Sequence, residues 1–252
     1  MKKLKLKLIL VWLIAMAFFW AAPAPSQAFS LLRIFSNGTS VTRFFQSIRV
    51  MKPWQCGDTL TYCGDSYATV QMTSTYGSQC WLQENLRNTT KPDCATAITS
   101  YCHASGCASP WGRLYTWTTA MNGATTATGC GAKIQGICPS GWHIPSDYTS
   151  CATDDFPALG TNGGALKKVN TSSGVPWAEP NTGATNASNW TGYPAGYWGS
   201  GFNSRGYNGF FWSSAENDGS DAWNRLLYYY NAGWVRYYYN KSYGFSVRCV
   251  KD

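Results

Sequence analysis

The chain has 252 residues, 44% of them hydrophobic, 16% aromatic and only 13% charged, with a formal net charge of +8. The excess is positional: Lys2, Lys3, Lys5 and Lys7 open the chain, Arg33, Arg43, Arg49 and Lys52 precede Trp54, and residues 54–252 hold 12 basic against 12 acidic side chains. A balanced domain without a dense basic cluster excludes a nucleic-acid binder, which carries a positive patch or stripe.

Residues 1–28 read as a secretory signal. The four lysines form the charged start, Leu8 to Ala22 the apolar run, and Ser26-Gln27-Ala28 the small residues at a cleavage position. Phe29 rather than cysteine follows, so lipid modification is not indicated. The apolar run of 15 residues is short of the roughly 20 that span a bilayer. Cleavage is therefore expected over retention as an anchor, with no membrane insertion afterwards. Residues 29–53 are basic and free of cysteine and acid. They read as a linker or short helix outside the main domain, residues 54–252.

All ten cysteines lie between Cys56 and Cys249. An even count in a secreted chain reads as five disulfides. With no Cys-x-x-Cys and only His103 and His143, a zinc site is not expected. Spacing leaves the pairing open. Cys102 and Cys107 are near enough to close a small loop. A bridge from Cys138 to Cys249 would tie the middle of the domain to its last strand, worth about 4–5 kcal/mol by chain entropy.

From Trp54 onward, Thr59–Tyr62 and Tyr67–Met72 read as short strands around a Gly64-Asp65 turn. Residues 88–110 are loop. Leu114, Trp117 and Met121 stand at helical spacing and predict a short amphipathic helix. Trp142 to Pro145 should be extended, because a residue before proline avoids the helical region. Ser146 is the expected N-cap of a second helix, with Asp147 in its first turn. His143, lacking an evident base–orienter partner, reads as structural. Residues 160–209 are rich in Gly, Asn, Thr and Ser, and too long for an ordinary connection. Trp177, Trp190 and Trp198 should anchor them.

The last stretch, Gly206 to Asp252, carries three runs separated by turns: Ala222–Tyr230, Trp234–Asn240 and Tyr243–Val250. Aromatic and β-branched residues predict an antiparallel meander. Alternation puts Trp223, Leu227 and Tyr229 on one face of the first run, which is expected to be core. Asn224, Tyr228, Tyr230, Tyr237 and Tyr239 are left for solvent. Tyrosine gives stiff amphipathic contact area and asparagine adaptable hydrogen bonding, as in binding loops.

Several motifs occur in order: Cys80-Trp81 with Glu84-Asn85-Leu86; Tyr115 and Trp117 with Ala120-Met121; Gly136-Ile137-Cys138-Pro139-Ser140-Gly141-Trp142-His143-Ile144-Pro145-Ser146; Pro180-Asn181-Thr182-Gly183-Ala184-Thr185-Asn186; Phe211-Trp212-Ser213-Ser214 with Glu216; and Gly244-Phe245-Ser246-Val247-Arg248-Cys249-Val250. Over residues 54–252 the chain resembles the bacterial major paralogous domain family first named from Fibrobacter succinogenes. The resemblance implies an α+β fold of C-type-lectin-like type, related to the formylglycine-generating enzymes. That fold has a small twisted antiparallel sheet, two short helices and long irregular loops. It also implies an extracytoplasmic domain, secreted or held at the cell surface. Proteins diversified by retroelements often end in a similar domain with Tyr- and Asn-rich variable positions.

The expected function is an adhesin-like binding domain for an extracellular glycan or protein. Its face comprises Asn224, Tyr228, Tyr230, Tyr237 and Tyr239, with Trp212, Glu216 and Asn217 nearby. A structural subunit of a surface layer or appendage is the alternative. An enzyme is not expected: no cysteine lies between Cys151 and Cys249 to carry formylglycine-generating chemistry, and no convergent acid–base set is evident. No cofactor is expected. Calcium is the one weighed, because Glu179-Pro180-Asn181 matches the calcium-lectin triplet and Glu216, Asn217, Asp218 and Asp221 cluster later. The same residues also make ordinary turns.

Overall fold

The computed structural model describes residues 52–126, 129–148, 150–172 and 176–252. The expected leader and residues 29–51 of the basic segment lie outside the described residues. Among the described residues no helix is long and apolar enough to cross a membrane.

The unit Trp54–Asp252 is α+β and sheet-rich. Numbered in chain order, β1 (Leu60–Tyr62) and β2 (Asp65–Tyr67) form a hairpin. Its two-residue loop is Cys63-Gly64, both at positive φ (47° and 85°), as a primed turn requires. A second sheet runs in the order β3 (Thr69–Gln71), β4 (Cys80–Leu82), β13 (Val250–Lys251), β6 (Trp142–His143). A third runs β5 (Tyr115–Thr116), β12 (Gly244–Phe245), β7 (Tyr197–Trp198), β8 (Phe202–Asn203). The longest strands make the fourth: β11 (Val235–Asn240), β10 (Asp221–Tyr228), β9 (Asn208–Glu216).

Both helices are short. Helix α1 (Trp117–Met121) starts at Thr116, whose side chain accepts from the Thr119 amide, and ends at Asn122 in the left-handed region. The N-terminal part of the predicted helix is instead β5. Helix α2 (Asp155–Ala158) does not begin at Ser146 as expected. The Ser146 hydroxyl accepts from the Asp155 amide at 3.2 Å, and its own amide donates to the Asp155 carboxylate at 2.8 Å. Ser146 is thus committed to a residue nine positions on and caps nothing of its own.

The meander is corrected in one respect. Its first two runs pair as β10 and β11, but the third run leaves the sheet. Gly244 and Phe245 pair with β5 and β7, and Val250 with β4 and β6. Between them Ser246 lies beside β9: the Trp212 amide donates to its carbonyl at 3.1 Å, and its amide to the Phe210 carbonyl at 3.0 Å. The run is buried from Gly244 to Val250, so it crosses the core rather than edging it.

Core lies on both faces of the β9–β10 pair. Phe210, Trp212, Ala222 and Leu226 join Trp117, Val247 and Phe245 on one side. Phe211 and Leu227 join Trp81, Phe156, Trp190 and Trp234 on the other. The expectation that only the Trp223/Leu227 side is core is therefore incomplete. Leu227 is buried and Trp223 half-buried, but Ala222, Asn224 and Leu226 opposite them are buried too.

From the long loop region, Leu166, Trp177 and Trp190 pack into the second core. Trp177 and Trp190 are fully buried, and the Trp177 indole N–H donates to the Gly192 carbonyl at 3.0 Å. All ten cysteines are paired: Cys56–Cys80, Cys63–Cys94, Cys102–Cys107, Cys130–Cys151 and Cys138–Cys249. Both pairings singled out from the sequence are present. Five bridges are the pattern of an oxidising, extracytoplasmic setting.

Candidate functional site

In β10, Tyr228 stands opposite Asn208 of β9, and Asn224 and Ala222 stand opposite Tyr237 and Tyr239 of β11. Residues opposite one another, and residues two apart, share a face. Tyr228, Tyr237 and Tyr239 therefore project from one side. Tyr230 lies just past the strand end with its ring 5.2 Å from that of Tyr228. Two tyrosines not expected on this face extend the group. Tyr243 lies 5.7 Å from Tyr239, and Tyr197 of β7 lies 5.8 Å from Tyr243.

The six rings differ in depth. Tyr230 and Tyr237 are 54% and 49% exposed, whereas the other four are half-buried. Tyr239 rests on Phe210 and Phe245, with ring centroids 5.9 and 5.4 Å away. Burial, and then the neighbouring phenols, push the Tyr228 and Tyr239 hydroxyls above the ordinary tyrosine range. Both keep their protons at neutral pH and can donate as well as accept. The neighbouring groups that raise these two hydroxyls are other tyrosines. At about 3.3 Å per residue the row from Tyr228 to Ala222 spans about 20 Å.

The remaining expected site residues fall elsewhere. Trp212 is fully buried, its N–H donating to the Tyr115 carbonyl at 2.8 Å and its ring 4.2 Å from Phe245. Asn224 is also fully buried and donates to the Tyr237 carbonyl at 3.0 Å. Neither offers surface to a ligand, so both are corrected from contact residues to the bed beneath the rings. Glu216 and Asn217 sit at the β9–β10 turn, beyond the Tyr239 end of the row. Glu216 pairs with Lys241, and Asn217 donates to the Asp218 carboxylate at 3.0 Å.

The calcium candidates are engaged within the chain. Lys241 donates to the Asp218 and Gly219 carbonyls at 2.8 and 3.0 Å as well as to Glu216. Asp218 accepts from the Ser220 and Asp221 amides, each at 2.8 Å, as a turn residue does. The Glu179–Pro180 peptide is cis. Glu179 accepts from Asn170 at 2.9 Å, and Asn181 donates to the Lys168 carbonyl at 3.1 Å. Among the described residues, the grouping of three Cys, His, Asp or Glu ligand atoms is Cys130, Cys151 and Asp154. Its two sulfurs are bonded to each other.

His143 does have partners, and the sequence did not show them. Its Nε2 lies 3.0 Å from Asp155 and its Nδ1 2.6 Å from Asp252. These residues line a cleft of about 370 Å³ with Gln79, Lys133 and Lys251. Both ring nitrogens are occupied by carboxylates, and the Ser146 hydroxyl bonds Asp155 at 2.8 Å. The set orients an imidazole and a helix start.

Three buried cations hold the frame. Arg225 makes a two-point pair with buried Asp147, 2.7 Å on each side. Arg248 lies 4.1 Å over the Trp190 ring and donates to Asn85 and to the Trp190 and Thr191 carbonyls. Burial pushes it down to about 9. Lys167 is fully buried and donates to the carbonyls of Thr182, Tyr228 and Asn231 at 2.7, 3.0 and 3.0 Å.

The molecule is thus a disulfide-tied α+β domain that carries a tyrosine face on a buried aromatic bed. The family model described as Fibrobacter succinogenes major domain (Fib_succ_major) matches residues 75–251, and the chain belongs to that family. No curated protein and no solved structure matches the chain.

Proposed function

We propose that this chain is a secreted or surface-displayed binding module of C-type-lectin-like architecture, exported by a cleaved leader. It recognises an extracellular glycan or protein through the tyrosine face and performs no catalysis. The observation that carries the reading is the gathering of six phenols from β7, β10, β11 and their flanking turns into one contiguous group. Such rings bury much apolar area at small entropic cost, and their hydroxyls add directional bonds. The bed of Trp212, Phe210 and Phe245 keeps them in place. Contact belongs to Tyr228, Tyr230, Tyr237 and Tyr239, extended to Tyr197 and Tyr243.

The test is a glycan and cell-surface protein binding screen with the mature chain, repeated with Tyr228→Ala/Tyr237→Ala. A loss of affinity of more than about tenfold, roughly 1.4 kcal/mol, with an unchanged circular dichroism spectrum is expected. Undiminished binding, or a domain that no longer folds, removes the face from ligand recognition. A near-copy of the 3′ coding region differing at adenines, beside a reverse transcriptase, would make this a diversified face.

A further inference from the structure

We infer that the Cys102–Cys107 bridge is a site of thiol–disulfide exchange, opened by an external dithiol while the other four bridges stay closed, with Cys107 as the departing sulfur. Exchange needs one sulfur that a thiolate can reach and a partner sulfur that leaves readily as a thiolate. Reach narrows the choice to two bridges. Cys138 and Cys249 are both buried, and Cys80 and Cys151 bury one end of Cys56–Cys80 and Cys130–Cys151. Cys63–Cys94 and Cys102–Cys107 remain, with neither end buried.

The surroundings of the sulfurs separate these two. The Sγ atoms of Cys63 and Cys94 each lie 3.9 Å from a carbonyl oxygen, of Lys91 and Pro92. The negative end of a carbonyl dipole opposes a developing thiolate. Cys107 Sγ instead accepts from Nη1 of the Arg113 guanidinium at 3.2 Å. That fork is held in place: Nε donates to the Ser100 hydroxyl at 2.7 Å and Nη2 to the Ser100 carbonyl at 3.4 Å. Among the described residues no carboxylate pairs with Arg113. A cation beside a sulfur stabilises its thiolate, and such a thiolate both leaves faster and favours the reduced pair. Cys102 Sγ has the His103 carbonyl as its neighbour, at 3.7 Å. Attack therefore falls on Cys102, and Cys107 leaves. Arg205 brings a second guanidinium to the loop, donating to the Gly106 carbonyl at 2.7 Å, which draws in an anionic nucleophile.

The electrons come from the external dithiol. Its thiolate attacks Cys102 Sγ, forming a mixed disulfide and releasing the Cys107 thiolate. Its second thiol, deprotonated, then attacks its own sulfur in the mixed disulfide, which closes the reagent's disulfide and releases Cys102. The chain gains two electrons and, once both thiolates are protonated, the two protons that the dithiol loses. The frame survives the opening. This bridge joins positions 5 apart, against 21 to 111 for the others, and loop-closure entropy is least for the shortest loop. The base of the loop is closed separately by the two hydrogen bonds between Tyr101 and Leu114, at 2.8 and 3.0 Å.

Incubation of the folded mature chain in graded ratios of reduced to oxidised dithiothreitol, followed by alkylation and peptide mapping, tests the site. Cys102 and Cys107 should be labelled at ratios that leave the other cysteines unlabelled, with circular dichroism unchanged. A brief exposure to glutathione, a monothiol, quenched with iodoacetamide, should leave glutathione on Cys102 and the alkyl group on Cys107. Arg113→Met should need a ratio more than tenfold more reducing, whereas a loop that was merely loosened would open more easily. If that variant does not fold, the position of glutathione in the unaltered chain decides. The inference is overturned by earlier labelling of any other pair, by all five bridges opening together, by glutathione on Cys107 or shared equally, or by an unchanged midpoint in Arg113→Met.

Discussion

The Lys167 ammonium donates to the Tyr228 carbonyl at 3.0 Å from a position with no solvent exposure. The same group reaches Thr182 and Asn231. One side chain from the loop region thus holds both the end of β10 and the turn that follows Tyr230. Among the described residues its partners are these three carbonyls and the Trp177 ring, 5.5 Å away.

Lys167→Met should therefore strand three carbonyls at once. An unsatisfied buried polar group costs about 1–3 kcal/mol, and release of the ammonium's own burial offsets part of that. A net loss of about 2–4 kcal/mol in urea unfolding is expected. The unaltered chain should also show a pH signature. Burial pushes Lys167 down to about 8 from an ordinary 10.5. Between those values the unfolded chain binds the proton and the folded one does not, so this group's contribution to stability rises with pH across that window. Unfolding measured on either side of pH 8 should show the rise, and Lys167→Met should lack it.

Asp155 governs the acid side. Burial by itself would raise its pKa, but hydrogen bonds from His143 and Ser146 hold it below the ordinary carboxylate value of 3.8. Stability from this group is present above that value and is lost as pH falls through the lowered one. Asp155→Asn keeps the shape while replacing an acceptor with a donor that confronts the Ser146 amide. The variant should be less stable at neutral pH, and thermal unfolding should fall less steeply with acid than in the unaltered chain.

Asp147 is fully buried and paired with Arg225. Removing one partner of such a pair typically costs about 3–5 kcal/mol, because the other charge is left buried alone. Asp147→Leu is expected in that range, the more so because Arg236 also approaches Asp147, at 3.5 Å. Asp147→Leu/Arg225→Met should recover most of the loss. A double-mutant cycle in denaturant that shows simple additivity would mean the two side chains do not act together.

The tyrosine face was legible in the sequence because alternation along β10 and β11 sorts residues by parity, and Tyr228, Tyr237 and Tyr239 do share a side. What parity leaves out is which side is covered. That is decided by β9 and by the Phe245 run packed against it, both far along the chain or out of the expected meander. Trp212 and Asn224 were misplaced for this reason, and Tyr197 was missed because only the third sheet brings it near Tyr243. The motif residues that carry the family resemblance proved to be frame: Trp81, Asn85, Trp117, Trp142, Trp212 and Arg248 are all buried. Most of the tyrosine face lies outside those motifs, so the features that identify the family are largely separate from those that would select a ligand.

The bridge from Cys138 to Cys249 spans 111 positions, and β7 through β12 all lie within it. The whole tyrosine face is therefore part of a covalent ring. A protease that nicks an exposed turn inside that ring, such as the one between β10 and β11, opens a circle rather than severing a chain. Every fragment stays attached until a reductant acts, and the cut is invisible by mass on a non-reducing gel.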